Sequence, residues 1–135
     1  VTREYVNRFN LSDRYKYIEG DLRRINFGKE RYSLIILGHI CHSEGKIYTQ
    51  QLIKKSFRAL KKGGILLIAE FLLDNDKAGP LMPLLFALNM LVNTNQGDVF
   101  RTVELKRWLH GAGFGQVKIL DKAPSVSALI LAVKK

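Results

Sequence analysis

The chain has one cysteine, Cys41, so an internal disulfide is excluded and the composition fits a reducing, cytoplasmic setting. Long apolar runs are missing too. The two longest, Pro80–Leu88 and Ala128–Val133, fall well short of the roughly 20 residues needed to cross a bilayer. Val1–Asn10 is polar with helical spacing and does not read as a signal peptide. No internal repeat or low-complexity stretch interrupts the 135 residues, so one domain is expected. Acidic residues are scarce, 12 against 22 Lys and Arg, which gives a net charge of +10. Such a surplus can mark a nucleic-acid binder. Here the cations are scattered: Arg23-Arg24, Lys54-Lys55, Arg58, Lys61-Lys62, Lys106-Arg107 and Lys134-Lys135. They lack the alternation with aromatics that a stacking platform needs, so a solvated basic surface is the better reading.

What remains is ordinary globular material, 47% hydrophobic and 25% charged, enough for one modest core. Thr2–Asn10 reads as a helix with Tyr5, Val6 and Phe9 on one face. Tyr15–Glu19 reads as a short strand ended by Gly20-Asp21. Ser33–Leu37 is a continuous apolar strand of the buried parallel type. A loop from Gly38 to Gly45 leads into an amphipathic helix, Lys46–Leu60. Its inward positions are Ile47, Ile53, Phe57 and Leu60, and Lys54, Lys55, Arg58 and Lys61 face water. Gly63-Gly64 should stop that helix before the next buried strand, Ile65–Phe71.

Beyond it, Leu72–Pro80 reads as a loop, Leu81–Leu91 as an apolar helix and Asn93–Asp98 as a second loop. Val103–Ala112 reads as a helix with Thr102 as its N-cap. Two final strands, Gly115–Asp121 and Ser127–Val133, are joined by a short turn at Ala123-Pro124-Ser125 and should pair antiparallel. Alternating helices and strands predict an α/β sheet with one mixed edge.

These elements, with their residues, resemble the later part of the catalytic domain of class I S-adenosylmethionine-dependent methyltransferases. The resemblance rests on Gly20-Asp21 after a strand, on Leu60-Lys61-Lys62-Gly63-Gly64-Ile65-Leu66-Leu67-Ile68 entering another, and on Trp108-Leu109 followed by Ala112-Gly113-Phe114. The stretches Leu37–Gly45 and Phe86–Leu91 place it nearer the O-methyltransferases of small metabolites. Residues 1–135 would then be the C-terminal portion of one Rossmann-like, three-layer catalytic domain. Its first two strands and glycine-rich loop are not found here, since Gly20, Gly28, Gly38 and Gly45 do not build a G-x-G-x-x-G turn. In the family's sheet those two strands separate Tyr15–Glu19 from Ser33–Leu37, so open strand edges are expected and the stretch should work as part of something larger.

The resemblance also implies roles for individual residues. Asp21 would grip the adenine amine of S-adenosylmethionine, with Leu22, Gly38 and His39 beside it as cofactor-binding positions. His42, at the end of Ile40-Cys41-His42, falls where plant-type relatives carry the general base. Glu70 falls where an acid orients the base imidazole by holding one ring nitrogen and fixing the tautomer. A second orienting acid of the family is replaced here by Phe100, with Glu104 or Asp98 as possible substitutes. Phe86, Met90 and Thr94, spaced i, i+4 and i+8, would line the acceptor pocket.

Each position also has a plainer structural reading. His42 could be a loop histidine that only shapes the pocket, Glu70 a strand-end surface acid, and Phe86 and Met90 core packing. His39, Cys41 and His42 are closely spaced, but no fourth ligand is evident and no metal site is expected. The leading expectation is methyl transfer to a hydroxyl of a small aromatic or polyketide-like acceptor, in a protein that is a homo-oligomer at full length. The alternative is a catalytically inactive, methyltransferase-like interaction module.

Overall fold

The structure, a computed structural model, describes residues 1–76, 78–120 and 127–135. Its elements are α1 (Thr2–Arg8), a 3-10 turn at Ser12–Arg14, β1 (Tyr32–Gly38), α2 (Cys41–Ala59), β2 (Leu60–Glu70) and β3 (Leu72–Leu73). After these come α3 (Leu81–Asn93), β4 (Phe100–Arg101), α4 (Thr102–Ala112), β5 (Phe114–Leu120) and β6 (Ala128–Lys134). The main sheet runs β1-β2-β6-β5, and a two-stranded ladder joins β3 to β4. β1 and β2 are parallel, whereas β6 runs antiparallel to both β2 and β5. The predicted α/β sheet with an antiparallel end is therefore present. The turn expected at Ala123-Pro124-Ser125, and Asp121 before it, lie outside the described residues.

Side chains alternate across the pleat. Leu37, Leu66, Ile68, Ile130 and Ala132 belong to one buried cluster with Leu52 and Ile53 of α2 and Leu105 and Leu109 of α4. The intervening strand positions are also apolar but less covered: Leu34 and Ile36 are 51% and 59% exposed. Among the described residues no strand pairs with the outer edge of β1. The open edge of Ser33–Leu37 is as expected for a strand without its neighbours, whereas the exposed face corrects the expectation of a strand buried on both sides, because among the described residues nothing covers Leu34 and Ile36.

Several local expectations are corrected. Tyr15–Glu19 forms no strand. Its composition suits one, but a strand needs a ladder partner, and among the described residues it has none. The long helix begins at Cys41 rather than Lys46, because one helical turn forms inside the expected loop before a kink at Gly45. The same kink rotates the face that follows, and Ile47, expected inward, is 68% exposed. The helix ends at Ala59, ahead of Gly63-Gly64. Those glycines instead shape a bulge in β2: Tyr32 pairs with Leu60 but Leu34 with Ile65, and Gly63 takes a φ of 75°.

Thr102 is the first residue of α4 rather than its cap. Glu104 does the capping, accepting from the Arg101 backbone N–H at 3.2 Å and from its Nε at 3.0 Å. The Arg101 guanidinium holds the Glu104 carboxyl below the usual carboxylate range. Lys55, expected in water, is half-buried: its Nζ donates to the carbonyls of Leu22, Arg23 and Ile25 at 2.7–3.1 Å and so fixes the loop that carries Asp21.

Candidate active site

Ligands of parallel α/β sheets gather beyond the carboxyl ends of the strands. Two chemical groups meet there in this chain. β1 ends at Gly38, and His39 follows in a left-handed conformation, φ 51°, with its N–H donating to the Ala69 carbonyl at 2.9 Å. This sharp exit starts a single helical turn that carries His42. Glu70 closes β2 on the neighbouring strand, where Gly38 pairs with Ala69.

The Glu70 carboxylate is fully buried and receives three N–H groups. Nδ1 of His42 lies 2.7 Å from Oε1, the backbone N–H of Phe71 donates to Oε1 at 2.9 Å, and that of His42 donates to Oε2 at 3.2 Å. An ionised carboxylate only accepts, so the ring proton belongs on Nδ1 and the lone pair on Nε2. The sequence-derived pair, His42 and Glu70, is therefore brought into direct contact. Phe86 closes the other side of the imidazole, its ring edge-on at a centroid distance of 4.8 Å.

The turn bearing His42 is locked from behind. Gly45 has φ 69° and ψ 177°, a combination that is essentially glycine-only. Its open side faces the Gln96 carbonyl oxygen, which would lie 2.1 Å from a Cβ placed there. The Asp98 N–H donates to the His42 carbonyl at 2.9 Å, so the loop after α3 braces the His42 turn directly. Gly45→Ala should lose about 2–4 kcal/mol from left-handed strain plus the clash. Denaturant unfolding measures this, and unchanged stability would show that the loop simply moves aside.

The remaining predicted positions are placed as follows. Asp21 is half-exposed, its Oδ1 accepting from the Arg23 N–H at 2.9 Å in a local turn. Arg23 in turn pairs with Glu44 at 3.0 Å, which ties this loop to the His42 turn. Leu22 packs against the main core. Gly38 faces open space, with nothing within 4 Å of where a Cβ would stand. His39 is half-exposed, with Nε2 3.1 Å from the Ser127 hydroxyl and Nδ1 3.9 Å from Glu70 Oε1.

Met90 is buried with Leu73 and Val99. Thr94 caps α3: its hydroxyl donates to the Met90 carbonyl at 2.7 Å and accepts from the Gly97 N–H at 2.7 Å. Phe100, at the position of the lost second acid, is buried edge-on against Trp108. The two possible substitutes have other partners. Glu104 is engaged by Arg101, and Asp98 reaches His42 through its backbone while its carboxylate accepts from the Val99 N–H.

Cys41 is buried and its thiol is pushed up to about 12, chiefly by desolvation, so it packs as a small apolar group. Sequence reasoning missed Phe71, whose ring lies 4.6 Å from Phe86 and 5.2 Å from His39 and completes an aromatic wall. It also missed Ser127 and the bracing role of Gly45. Only Gly45 left a signal, as a glycine next to a helical pattern.

Comparison with known proteins identifies the family and the fold. The sequence model of the O-methyltransferase domain family matches residues 1–115. The tetracenomycin polyketide synthesis 8-O-methyl transferase TcmO of Streptomyces glaucescens is 30% identical over 116 residues, covering 86% of this chain and 34% of that protein. The solved structure of an O-methyltransferase family 2 protein from Planctomyces limnophilus, in complex with apigenin, superposes with a TM-score of 0.83 at 28% identity. The match covers 98% of this chain and 39% of that one. Human N-acetylserotonin methyltransferase in complex with SAM gives a TM-score of 0.75 at 28% identity, covering 93% of this chain and 37% of that one. The chain thus spans about a third of the length of the curated relatives it matches.

Proposed function

The chain belongs to the O-methyltransferase domain family, and on that premise we propose that it serves methyl transfer from S-adenosylmethionine to a hydroxyl of a small aromatic or polyketide-like acceptor. His42 acts as general base and Glu70 as its orienting carboxylate. The observation that carries this reading is the 2.7 Å contact between His42 Nδ1 and a fully buried Glu70, at the carboxyl end of the sheet and facing Phe86.

S-adenosylmethionine supplies an electrophilic methyl group on a sulfonium. The residues present fit it: Gly38 leaves open space at the strand end, and the loop holding the half-exposed Asp21 is fixed by Lys55 and by the Arg23–Glu44 pair. Asp21 holds the adenine amine, with Leu22, Gly38 and His39 beside it. The acceptor lies against Phe86, with Met90 behind it and Thr94 shaping the floor as a helix cap.

S-adenosylmethionine would supply a methyl whose bond to sulfur breaks, the electron pair going to sulfur, as its bond to the acceptor oxygen forms; His42 Nε2 would accept the hydroxyl proton, and Glu70 would keep Nδ1 protonated and compensate the imidazolium. The rest of the rate comes from holding the acceptor oxygen in line with the methyl group. Exposed apolar positions along α3, among them Leu88, Leu91 and Val92, are consistent with a homo-oligomer at full length. Among the described residues no helix is long and apolar enough to cross a membrane. The single buried cysteine supports a cytoplasmic location.

Incubation with methyl-labelled S-adenosylmethionine and a panel of phenolic acceptors should give labelled methyl ethers. Cofactor binding with label recovered only on nitrogen or carbon would overturn the hydroxyl assignment. Failure to bind the cofactor by calorimetry would favour the inactive interaction module.

A further inference from the structure

The fold gives the two histidines a partner that their spacing in sequence did not suggest. One ligand-capable atom each from His39, His42 and Glu70 lie within 4.8 Å of one another, and Cys41 is not among them. We propose that these three residues form an inhibitory site for a borderline divalent transition-metal ion such as Zn²⁺, Ni²⁺ or Co²⁺, whose occupation switches off the base. This rests on the base role given above to His42.

Two imidazoles and a carboxylate suit this class of ion and disfavour Mg²⁺ or Ca²⁺, which take oxygen ligands. The geometry is close to what is required. Nδ1 of His42 and of His39 lie 2.7 and 3.9 Å from the same Glu70 oxygen. Donor atoms around a tetrahedral ion, bound at roughly 2.0–2.2 Å, stand about 3.3–3.6 Å apart. The His42–Glu70 contact must open by about 0.6–0.9 Å, the His39–Glu70 contact close by about 0.3–0.6 Å, and the histidine pair, within 4.8 Å, close by at most about 1.5 Å, movements within the reach of side-chain torsions. The supporting hydrogen bonds are in place: Ser127 holds His39 Nε2, and the Phe71 N–H holds Glu70 Oε1. Such outer contacts are what orient metal-binding imidazoles and carboxylates. One coordination position is left for water.

The inhibitory effect comes from proton placement. Neutral His42 carries one ring proton, on Nδ1 and donated to Glu70 in the base-competent form. An ion on Nδ1 takes that nitrogen's lone pair, so the proton moves to Nε2. No proton is lost and no bond elsewhere changes. Nε2 has become a donor, and it is the atom that must accept the hydroxyl proton. The ion therefore converts the base into its idle tautomer.

Co²⁺ titrated into the metal-free protein should produce a visible d–d absorption spectrum of low-symmetry coordination. His39→Asn should weaken that binding at least tenfold, since asparagine tolerates the left-handed backbone at this position but ligates poorly. Saturating Zn²⁺ should lower methyl transfer at least tenfold, with recovery on chelation. Absence of the Co²⁺ spectrum, or an undiminished spectrum in the His39→Asn variant, overturns the site whatever the state of catalysis. Metal binding with methyl transfer intact overturns the switch, while the base role of His42 is decided separately by the kinetics of His42→Ala. A protein that shows no methyl transfer even without metal would refute the proposed function while the Co²⁺ spectrum still decides the site.

Discussion

Replacing His42 by alanine is expected to lower kcat by two to four orders of magnitude, about 3–5.5 kcal/mol of barrier, with cofactor affinity within a few-fold of the parent. The size follows from the base being placed to act in the transition state alone. On the proposed assignment the adenosyl group is held by the Asp21 loop and the Gly38 turn and not by the imidazole. Binding and chemistry should therefore separate. The variant should also fold, because the two backbone bonds that anchor the turn, His42 N–H to Glu70 and Asp98 N–H to the His42 carbonyl, do not involve the ring. Single-turnover kinetics with labelled cofactor, read beside calorimetric binding, measures both quantities. A kcat within threefold of the parent would leave His42 as a pocket-shaping residue only.

Glu70→Gln should be nearly as damaging to turnover, by about 10²–10⁴, and should also destabilise the fold. A carboxylate accepts from all three of its N–H neighbours, but a carboxamide places its NH₂ against at least one of them. One buried donor is then left unsatisfied, a loss of about 1–3 kcal/mol. If the amide nitrogen faces the ring, Nδ1 must accept and the ring proton is forced to Nε2, the unproductive tautomer. Nitrogen NMR of the imidazole distinguishes the two amide orientations: the parent should show protonated Nδ1, and a variant with its amide nitrogen facing the ring should show protonated Nε2. A variant with normal turnover would show that Glu70 is needed for packing and not for the tautomer.

The strands and helices that were legible in the sequence were those whose pattern was locally sufficient. The apolar runs at Ser33–Leu37 and Ile65–Phe71 became the parallel pair β1 and β2, and Val103–Ala112 became α4 within one residue. Tyr15–Glu19 failed because a strand is a property of two chain segments, and a single segment of suitable composition carries no information about its partner. Ile47 was misplaced because periodicity assumes one helical axis, and Gly45 breaks that axis. Residue type points to Thr102 as the cap, whereas Glu104 satisfies the helix start from inside the first turn.

For the site, the family resemblance implied His42, Glu70 and the contact between them; spacing alone, with the two positions 28 residues apart, carries no sign of it. Phe71 was invisible for a different reason. Adjacent to Glu70, it looks like the last residue of a buried strand, and only the turn after β2 swings its ring towards Phe86.

The position of β2 in the sheet has a consequence for synthesis of the chain. β2 pairs on one side with β1, which precedes it, and on the other with β6, completed about 64 residues later. At about 5–20 residues per second, Ile65–Ala69 would leave the ribosome roughly 3–13 s before the strand that seals its second edge. During that interval a nascent chain presents a wholly apolar, half-paired ribbon. Synonymous changes that slow translation between α3 and β5 should lengthen the exposure without altering a single residue of the finished protein.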